Sequence, residues 1–553
     1  MDLVANAQAS DGNLSSEIVN MATFLQSLDS DLDPNNGISI ASDLRTKFKA
    51  IAPHKIGADS NLTKLILDAN VTGIALKNSD VAIDHLISTV AKVRGTTGMA
   101  KRTFQNGNIS EITQFTVDTT RNDINYTLTT DMKKMPLAVG SSLRLKSNTN
   151  GTMVFYGITD RGPNGDSPEG SIITSDGNYT RSKSFPVPTF VPTIAEITVK
   201  GGKASVTKTI PLKASASVLM SGLPLQSGVG STGEVALDAT LGKVLEFNPN
   251  GIDPEGIDID SSGKLWIGDE YGPFIAQVDP ISGVVLQKFV PGSGLPDMLK
   301  RRVPNRGIEG LAIAPDSGKI YGIVQTPLDT TDDNKDKGDD TWLTLVELDP
   351  NTKEVNLYAV AFDAYDKTKN PNGFEPNKVK VGDLMALGNN QFMMIEQGKN
   401  NAKKLVNNLV KIDISKATKI TSDMYDGKKG LKEIKAVTVT PATRTFIANL
   451  RTYGWLAEKA EGLSKIDDQT IAIINDNDFG MKASAKCSVN GVEEELDPEK
   501  LTLNLRASIN QLGTTENVTC DSGSISYTLT KNAEYERRTR LWIIKLSKAM
   551  TSF

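Results

Sequence analysis

Histidine is nearly absent from this sequence. The 553 residues include only His54 and His85, and both lie in the N-terminal part of the chain. Chemistry in the remainder must therefore proceed without imidazole, which argues against Ser-His-Asp hydrolysis there and excludes a histidine-rich zinc site. Carboxylates and amide carbonyls remain as candidate ligands, and these hard oxygen donors suit calcium or magnesium.

Cysteine is equally scarce, with Cys487 and Cys520 as the only two. They flank a stretch late in the chain that reads as an insertion. Spacing alone leaves two readings open with similar weight, namely one disulfide that closes this stretch or two unrelated thiols.

Long apolar runs, basic blocks and a secretion signal are also missing. No run of about 18 apolar residues occurs, so no membrane-spanning helix is predicted. The net charge of -5, without a basic block, argues against a nucleic-acid partner. The start, Met1-Asp2-Leu3, has neither a charged segment nor an apolar core. The protein is either cytoplasmic or a form whose leader has been removed, and we favour the second interpretation.

What the sequence does contain is a repeated phrase. Each copy reads as an apolar strand opened by an acid, a turn rich in Gly, Asp, Asn or Ser, and a second apolar strand that ends in polar residues. The four clear copies begin at Glu255-Gly256-Ile257, Glu309-Gly310-Leu311, Asp383-Leu384-Met385 and Glu461-Gly462-Leu463, and they end at Asp269-Glu270, Gln325, Glu396 and Asn475-Asp476. In an antiparallel hairpin the start of the first strand lies beside the end of the second. Acidic and polar groups should therefore meet at one end of every hairpin.

Repetition at a long, irregular period is typical of a β-propeller, whose blades converge on a central channel. A degenerate fifth copy starts at Ser142-Leu143-Arg144, and the strand 540–546 is well placed to close the ring. Five hairpins plus weaker strands predict six blades, with seven as the alternative. The predicted fold is therefore an all-β propeller preceded by a small, mainly α-helical N-terminal module.

The domain organisation follows from changes in pattern along the chain. We predict a disordered tail at 1–15, a helical module at 16–95, connecting or outer strands at 96–136, and the propeller at 137–553 with an insertion at 481–533. The helical module resembles N-terminal modules of exported bacterial lipoproteins through Phe24-Leu25-Gln26-Ser27-Leu28-Asp29 and Asn36-Gly37-Ile38. That resemblance implies a contact with the cell envelope or with a partner protein through this module.

Four ordered motifs connect the propeller region to a known family. They are Asp253-Pro254-Glu255-Gly256-Ile257, Trp266-Ile267-Gly268-Asp269-Glu270-Tyr271-Gly272-Pro273, Asn305-Arg306-Gly307-Ile308-Glu309-Gly310-Leu311 and Asn475-Asp476-Asn477-Asp478-Phe479-Gly480. Together they resemble the bacterial phytase-like family described as having esterase-like activity. The resemblance implies an exported propeller, in the periplasm, at the outer membrane as a lipoprotein, or secreted. It also implies a metal-assisted hydrolase of phosphoesters or carboxyesters. Export in turn favours a disulfide between Cys487 and Cys520.

The carboxylates that should gather at one channel mouth are the candidate site. So many acids in one concavity repel each other unless they take up protons or a cation, for which we expect calcium (Ca²⁺). A bound calcium ion could activate a water, and two arginines could clamp an anionic ester or phosphoester. The residues predicted to be catalytic are Glu255, Asp269, Glu270, Glu309, Arg306 and Arg161, and those predicted to bind the metal are Asp269, Glu270, Glu396, Glu461, Asp476 and Asp478.

Three alternatives remain open from sequence. Glu255, Glu309 and Glu461 could instead be structural clips whose carboxylates accept backbone N–H groups of the next blade, since recurrence in several blades suits architecture. The whole protein could then be a non-catalytic propeller that binds a partner at the cell envelope. A sugar lactonase with one divalent ion on a similar propeller also fits the set of acid and amide ligands.

Overall fold

The computed structural model of the protein describes residues 99–120, 135–168, 172–173, 179–226, 233–331, 338–434, 438–504, 511–514, 520, 523–532 and 534–553. The tail predicted at 1–15 and the helical module predicted at 16–95 lie outside these residues. Within them, no helix combines the length and the apolar character needed to cross a membrane.

The regular secondary structure of the described residues is almost entirely β-strand. In chain order these are β1 (Met99–Thr103), β2 (Ile109–Asp118), β3 (Ser142–Thr149), β4 (Thr152–Ile158), β5 (Gly165–Asp166), β6 (Ile172–Ile173), β7 (Tyr179–Thr180), β8 (Ser182–Ser184), β9 (Thr193–Lys200), β10 (Lys203–Pro211), β11 (Lys213–Ser215), β12 (Val218–Leu219), β13 (Val235–Leu237), β14 (Pro254–Ile259), β15 (Leu265–Asp269), β16 (Ile275–Val278), β17 (Val285–Pro291), β18 (Gly294–Leu295), β19 (Ile308–Ile313), β20 (Ile320–Val324), β21 (Leu343–Leu348), β22 (Val355–Val360), β23 (Lys380–Gly388), β24 (Gln391–Lys399), β25 (Leu405–Asp413), β26 (Thr443–Asn449), β27 (Gly462–Lys465), β28 (Thr470–Ile474), β29 (Met481–Val489), β30 (Val492–Leu496), β31 (Leu501–Asn504), β32 (Gln511–Thr514), β33 (Ser524–Lys531) and β34 (Arg540–Leu546). Two single-turn helices, α1 (Ser422–Tyr425) and α2 (Glu534–Arg537), and short 3-10 turns complete the set.

Within the described residues, five four-stranded antiparallel units form the blades of a propeller, which confirms the predicted all-β propeller. In chain order they are blade 1 (β3, β4, β9, β10), blade 2 (β14, β15, β16, β17), blade 3 (β19, β20, β21, β22), blade 4 (β23, β24, β25, β26) and blade 5 (β27, β28, β34, β2). Blade 5 combines strands from both ends of the described chain, because β28 pairs with β34 and β34 pairs with β2. This arrangement closes the ring and removes a free sheet edge.

The blade count differs from the sequence-based prediction of six, or alternatively seven. The first strands β3, β14, β19, β23 and β27 contact one another in turn and close a ring of five. The sixth blade was inferred from poorly marked strands rather than from a hairpin of its own. Part of the chain, at 481–533 and between β4 and β9, instead forms small sheets beside the blades, such as β30-β29-β33 and β13-β8-β5.

Five large apolar clusters form the core of the propeller in the described residues, each between two neighbouring blades. Successive residues of a strand point to opposite faces, so one strand serves two interfaces. In β28, Ile471 and Ile473 pack toward blade 4, whereas Ala472 and Ile474 pack toward blade 1. Because both faces are covered, these strands read as nearly continuous apolar runs in the sequence.

A single arginine on the propeller axis ties the blades together. The Arg144 guanidinium, on β3 of blade 1, donates to the backbone carbonyls of Leu311, Leu384 and Leu463, which belong to blades 3, 4 and 5. Its Nε lies 3.3 Å from Asp258 Oδ2 of blade 2. One buried side chain of blade 1 thus contacts all four of the other blades, and we call it the axial arginine.

Asp383 complements the axial arginine. Its Oδ2 accepts hydrogen bonds from Ser142 Oγ at 3.0 Å and from Leu463 N at 2.8 Å, and its Oδ1 lies 3.7 Å from Arg144 Nη2. Burial raises the pKa of Asp383 to about 7 even though the Arg144 charge opposes the shift. The acid that opens the third repeated phrase is therefore a clip between blades 1, 4 and 5.

The insertion is stapled by a disulfide between Cys487 and Cys520, which settles the pairing that spacing left open. Cys487 lies on β29, and Cys520 lies 33 residues later in the sequence. The insertion packs on the segment between β4 and β9, where Tyr527 Oη contacts Ser184 Oγ at 2.6 Å and donates to Asp166 O at 2.9 Å. Both segments begin at the same end of the propeller, directly after Asp160 and Asp478.

Candidate functional site

The repeated Glu-Gly phrase has a local structural cause. In blades 2 and 3 the pairing register shifts between Pro254 and Gly256 and between Ile308 and Gly310, so Glu255 and Glu309 occupy β-bulges. A bulge re-aims a side chain that regular pairing would place on the sheet face. The glycine that follows permits close approach of the first strands, because a Cβ at Gly310 would lie 2.4 Å from the backbone nitrogen of Leu384.

Glu255, Glu309 and Glu461 converge where the first strands begin, and we call them the three-glutamate cluster. One carboxylate oxygen from each lies within 4.8 Å of one from each of the others. All three are more than nine-tenths buried, with exposed fractions of 7%, 1% and 3%. The Oε2 atom of each has no hydrogen-bond partner. These carboxylates are therefore not the blade clips considered from sequence, since a clip would have its oxygens occupied by backbone N–H groups.

The surroundings of the cluster disfavour negative charge. Burial raises the pKa of Glu255 and Glu309 well above the usual range, and neighbouring carboxylates raise it further. Burial also raises the pKa of Glu461 to about 8, although Lys459 opposes the shift. Weak partners are supplied by Gln325, which hydrogen-bonds Glu309, and by Gln397 Nε2, which lies 3.4 Å from Glu461 Oε1. Such a cluster is stabilised by taking up either protons or a cation.

We predict that the cation-free protein loses stability as the pH rises. The pKa of Glu461 is about 8 in the folded protein against 4.5 as its ordinary value, so proton binding favours the folded state. This contribution is complete below about pH 4.5 and is lost as the pH rises through about 8. Urea unfolding in EDTA at pH 5, 6, 7 and 8 should give a falling free energy of unfolding. Glu461→Gln should flatten the profile, and a profile that rises with pH in the wild type would contradict the prediction.

A second group lies beside the first, and we call it the aspartate cluster. It consists of Asp160, Asp476 and Asp478, again with one oxygen from each within 4.8 Å of the others. Asp160 and Glu255 also meet Asp253 at the same spacing, so the two clusters are continuous. Asp478 and Phe479 hold left-handed backbone angles, with φ of 46° and 53°, ahead of Gly480 at 71°. Consecutive non-glycine residues in this region are strained, and such strain is concentrated at functional sites.

Lys459 fills the aspartate cluster. Its ammonium lies 2.8 Å from Asp476 Oδ2 and 2.9 Å from Asp478 Oδ1. It also lies 3.6 Å from Glu461 Oε2, which places it between the two clusters. Burial alone would raise the pKa of Asp476, but the charge of Lys459 together with the hydrogen bonds from Lys459 and Asp478 lowers that pKa. Asp160 has no such contact with the lysine, and burial followed by the charge of Asp476 raises its pKa well above the usual range.

Of the other predicted residues, Glu270 and Arg161 lie at the border of the clusters. Glu270 is 4% exposed, and burial followed by the charge of Asp253 raises its pKa well above the usual range. The Arg161 guanidinium is equally buried and lies 3.1 Å from Glu234 Oε1 and 3.6 Å from Asp253 Oδ2. Arg161 therefore holds Asp253 in place beside the clusters.

The remaining predicted residues are placed differently. The Asp269 carboxylate accepts hydrogen bonds from the backbone nitrogens of Asp253 and Gly272, which shapes the turn that presents Glu270. Arg306 Nη1 donates to Asn377 O at 3.0 Å. The structure does not bring Glu396 to the clusters, because both of its oxygens are engaged by Arg444 at 3.0 and 2.7 Å. Strand alternation explains this, since the next residue, Gln397, faces Glu461 instead.

Sequence reasoning missed several residues that the structure brings to the site, namely Asp160, Asp253, Lys459 and Gln397, whereas Gln325 was expected beside Glu309 as the residue that closes the second phrase. Two of the missed residues had a signal. Asp253 stands two positions before Glu255, and Asp160 ends the fifth copy of the phrase just before Arg161. Lys459 stands two residues before Glu461, which opens the fourth phrase, and nothing in the sequence distinguishes it from a surface lysine.

Comparison with known proteins gives a family match. A family model described as "Phytase-like: Esterase-like activity of phytase" matches residues 140–479, which is more than half of the chain. A comparison with curated proteins finds no match.

Similar solved structures include an α-L-arabinofuranosidase from Podospora anserina in complex with cellotriose, with 9% identity over 78% of this chain and 95% of that chain and a TM-score of 0.32. The catalytic domain of an α-L-arabinofuranosidase from Coprinopsis cinerea has 8% identity over 77% and 96%, with a TM-score of 0.30. The PQQ-bound aldose sugar dehydrogenase of Streptomyces coelicolor has 11% identity over 68% and 98%, with a TM-score of 0.21. At such TM-scores these likenesses carry no argument about function.

Proposed function

The chain belongs to the phytase-like family, and from this membership we propose that it hydrolyses esters or phosphoesters with the help of a divalent cation held by the three-glutamate cluster. Calcium is the cation we propose. The observation that carries the proposal is the set of three buried glutamates whose carboxylates converge and in each of which Oε2 has no hydrogen-bond partner.

The cluster suits a hard divalent cation. All of its donors are carboxylate oxygens, and calcium takes 6–8 oxygen ligands in flexible geometry, with carboxylates binding through one or both oxygens. Magnesium demands a smaller, nearly ideal octahedron and retains several waters. The mutual repulsion that raises the pKa of Glu255 and Glu309 is relieved when positive charge enters the cluster. Calcium therefore fits both the donors and the charge.

A divalent cation at this place would polarise an ester or phosphoryl oxygen as a Lewis acid. The chain's own residues would supply the proton chemistry. Glu270 lies beside the three-glutamate cluster, and burial, followed by the charge of Asp253, raises its pKa well above the usual range, which favours the protonated carboxyl group. We propose that Glu270 donates this proton to the leaving oxygen of the substrate, because a general acid needs a pKa near the working pH.

Positive side chains at the rim favour an anionic substrate. The charges of Arg306 and Lys459 both contribute, after burial, to lowering the pKa of Lys380, so the three cations lie close to one another. Lys380 pairs in register with Gln397, whose amide contacts Glu461, and cross-strand partners share a sheet face. An ammonium on that face would attract a phosphate or carboxylate group toward the cluster.

We also propose that the protein works outside the cytoplasm. The Cys487–Cys520 disulfide supports this, because structural disulfides persist in oxidising compartments such as the periplasm or the cell exterior.

The proposed function predicts calcium-dependent turnover. Purified protein should hydrolyse phytate, p-nitrophenyl phosphate or p-nitrophenyl acetate in calcium. EDTA should lower the rate of hydrolysis at least about 100-fold, because the loss of a residue that only hydrogen-bonds a metal ligand already lowers metal affinity or activity about 10–100-fold. Glu354→Gln, an isosteric change in an exposed side chain between the two outer strands of blade 3, serves as the control and should keep the rate.

Other outcomes identify the alternatives. Release of acid from sugar lactones, with no phosphate or p-nitrophenol from the other substrates, would indicate a lactonase. No turnover by folded protein in calcium, magnesium or manganese would overturn the hydrolase and favour a binding propeller.

A further inference from the structure

The two carboxylate clusters have similar spacing but different partners. In the three-glutamate cluster one buried oxygen of each residue has no hydrogen-bond partner, and the Lys459 ammonium lies 3.6 Å from that oxygen of Glu461. In the aspartate cluster the corresponding atoms are occupied. Asp476 Oδ2 and Asp478 Oδ1 accept from Lys459, Asp476 Oδ1 accepts from Asp478 N at 3.1 Å, and Asp160 Oδ1 accepts from Gly162 N at 2.8 Å. The spacing of the oxygens would allow either cluster to bind a divalent cation. Because hydrogen bonds already engage oxygens of the aspartate cluster, we expect the cation to bind the three-glutamate cluster.

Lys459 occupies the place that a second cation would need. A calcium ion lies 2.3–2.6 Å from its oxygen ligands. The Lys459 ammonium already lies 2.8 and 2.9 Å from one oxygen each of Asp476 and Asp478. An ion bound to the same oxygens would be placed against the positive charge of the ammonium, and like charges at such a distance repel each other.

We propose that Lys459 is a built-in counter-cation that closes the aspartate cluster to divalent ions, so that this end of the propeller binds one calcium ion rather than two. The inference rests on the cation site of the proposed function and adds its stoichiometry. It also gives Lys459 a role outside the chemical reaction. The lysine permanently neutralises the strained Asp476–Asp478 segment, while the three-glutamate cluster remains able to exchange its cation.

Calorimetric titration with calcium chloride, together with metal analysis after gel filtration, tests the proposal. Wild-type protein should bind one calcium ion, and Lys459→Met should bind two, because the aspartate cluster loses its ammonium. Lys459→Arg keeps the positive charge and should still bind one. The matched control is Lys465→Met on β27 of the same blade, where the lysine pairs with exposed Asp468, and it should also bind one ion.

A second variant covers the case in which Lys459→Met folds poorly. Lys459→Gln should melt below the wild type in EDTA, because the two aspartates then face each other without a counter-charge. Calcium should raise its Tm more than it raises the wild-type Tm. An equal calcium-induced rise in both proteins would overturn the proposal.

The result separates this proposal from the proposed function. Two ions in the wild type, or one ion in Lys459→Met, would overturn the role of Lys459 and leave calcium-dependent hydrolysis intact. No ion bound by the wild type would overturn the cation site and the counter-cation together. One ion in the wild type and two in Lys459→Met, without hydrolysis of any substrate, would support the counter-cation and reject the hydrolase.

Discussion

Glu309→Gln is expected to reduce calcium-dependent turnover by at least about 100-fold, because the loss of a residue that only hydrogen-bonds a metal ligand already lowers activity by up to about 100-fold. The same change should raise the stability of the cation-free protein. Glu309 is the most deeply buried member of the three-glutamate cluster, and its Oε2 has no partner. Glutamine has the same shape and can still interact with Gln325, but it carries no charge. A ligand for the cation is thereby lost, and a source of repulsion disappears.

The two effects have opposite signs because the buried carboxylates that would bind the cation also repel one another, which lowers the stability of the cation-free protein. At pH 8 without calcium, the ionised form of Glu309 must tolerate burial and the nearby charges of Glu270 and Glu461. Removing an unpartnered buried charge should increase the free energy of unfolding by about 1–3 kcal/mol, the penalty typical of a buried polar group without a partner. A glutamate that merely clipped two blades would show the reverse, since its loss would lower stability.

Three measurements examine this prediction, namely calcium affinity by calorimetry, turnover at saturating substrate, and urea unfolding in EDTA at pH 8. Glu354→Gln controls for the general effect of replacing an acid with an amide, because its side chain is 59% exposed and lies away from the clusters. Weakened calcium binding together with increased cation-free stability supports the cation site. A less stable Glu309→Gln protein that still binds calcium would show that Glu309 is structural.

Much of the fold could be predicted because each blade begins with a hairpin visible in the sequence. The turns at Ser262-Gly263 and Ser317-Gly318 connect the first and second strands of blades 2 and 3. The strand predicted at 540–546 is present as β34. The ring formed by the described residues has five blades rather than six, because poorly marked strands were assigned to a further blade. Short strands such as β5, β6 and β7 have only two residues each, which is too little for periodicity to register.

The sequence predicted which residues lie at the candidate site only where the pairing of the strands could be assigned residue by residue. The acids that open the phrases at Glu255, Glu309 and Glu461 come together as expected. Asp383 has the same place in the sequence pattern but a different place in the structure. A Cβ at Gly310 would fall beside the Asp383 carbonyl carbon, so Asp383 stands opposite the glycine of the phrase rather than the glutamate. This one-residue shift moves its carboxylate from the cluster to the axial arginine.

Arg144→Met is expected to lower the free energy of unfolding by about 3–5 kcal/mol, the cost typical of removing one partner of a buried ion pair. Arg144 is 5% exposed, and Asp383 is fully buried. Methionine fills similar space, but it leaves three backbone carbonyls without their donor and two carboxylates, Asp258 and Asp383, without a counter-charge. The loss therefore affects all five blades at once.

The pH dependence of this loss has a definite sign. The pKa of Asp383 is about 7 in the folded protein and 3.8 ordinarily, so its contribution to stability is complete below about pH 3.8 and disappears as the pH rises through about 7. Without the Arg144 charge, which opposes this shift, the pKa of Asp383 should rise further. Arg144→Met should therefore be more strongly destabilised at pH 8 than at pH 5 in urea unfolding.

A second substitution distinguishes the charge of Arg144 from its hydrogen bonds. Asp383→Asn in the Arg144→Met background removes the uncompensated carboxylate and should recover part of the stability at pH 8, which a double-mutant cycle would measure. The carbonyls of Leu311, Leu384 and Leu463 would still lack a donor, so recovery should be incomplete. If Arg144→Met alone costs less than about 1 kcal/mol, the value of one ordinary hydrogen bond, the five apolar clusters between the blades hold the ring without an axial clip. The geometry of the three-glutamate cluster would then depend on its bulges and glycines alone.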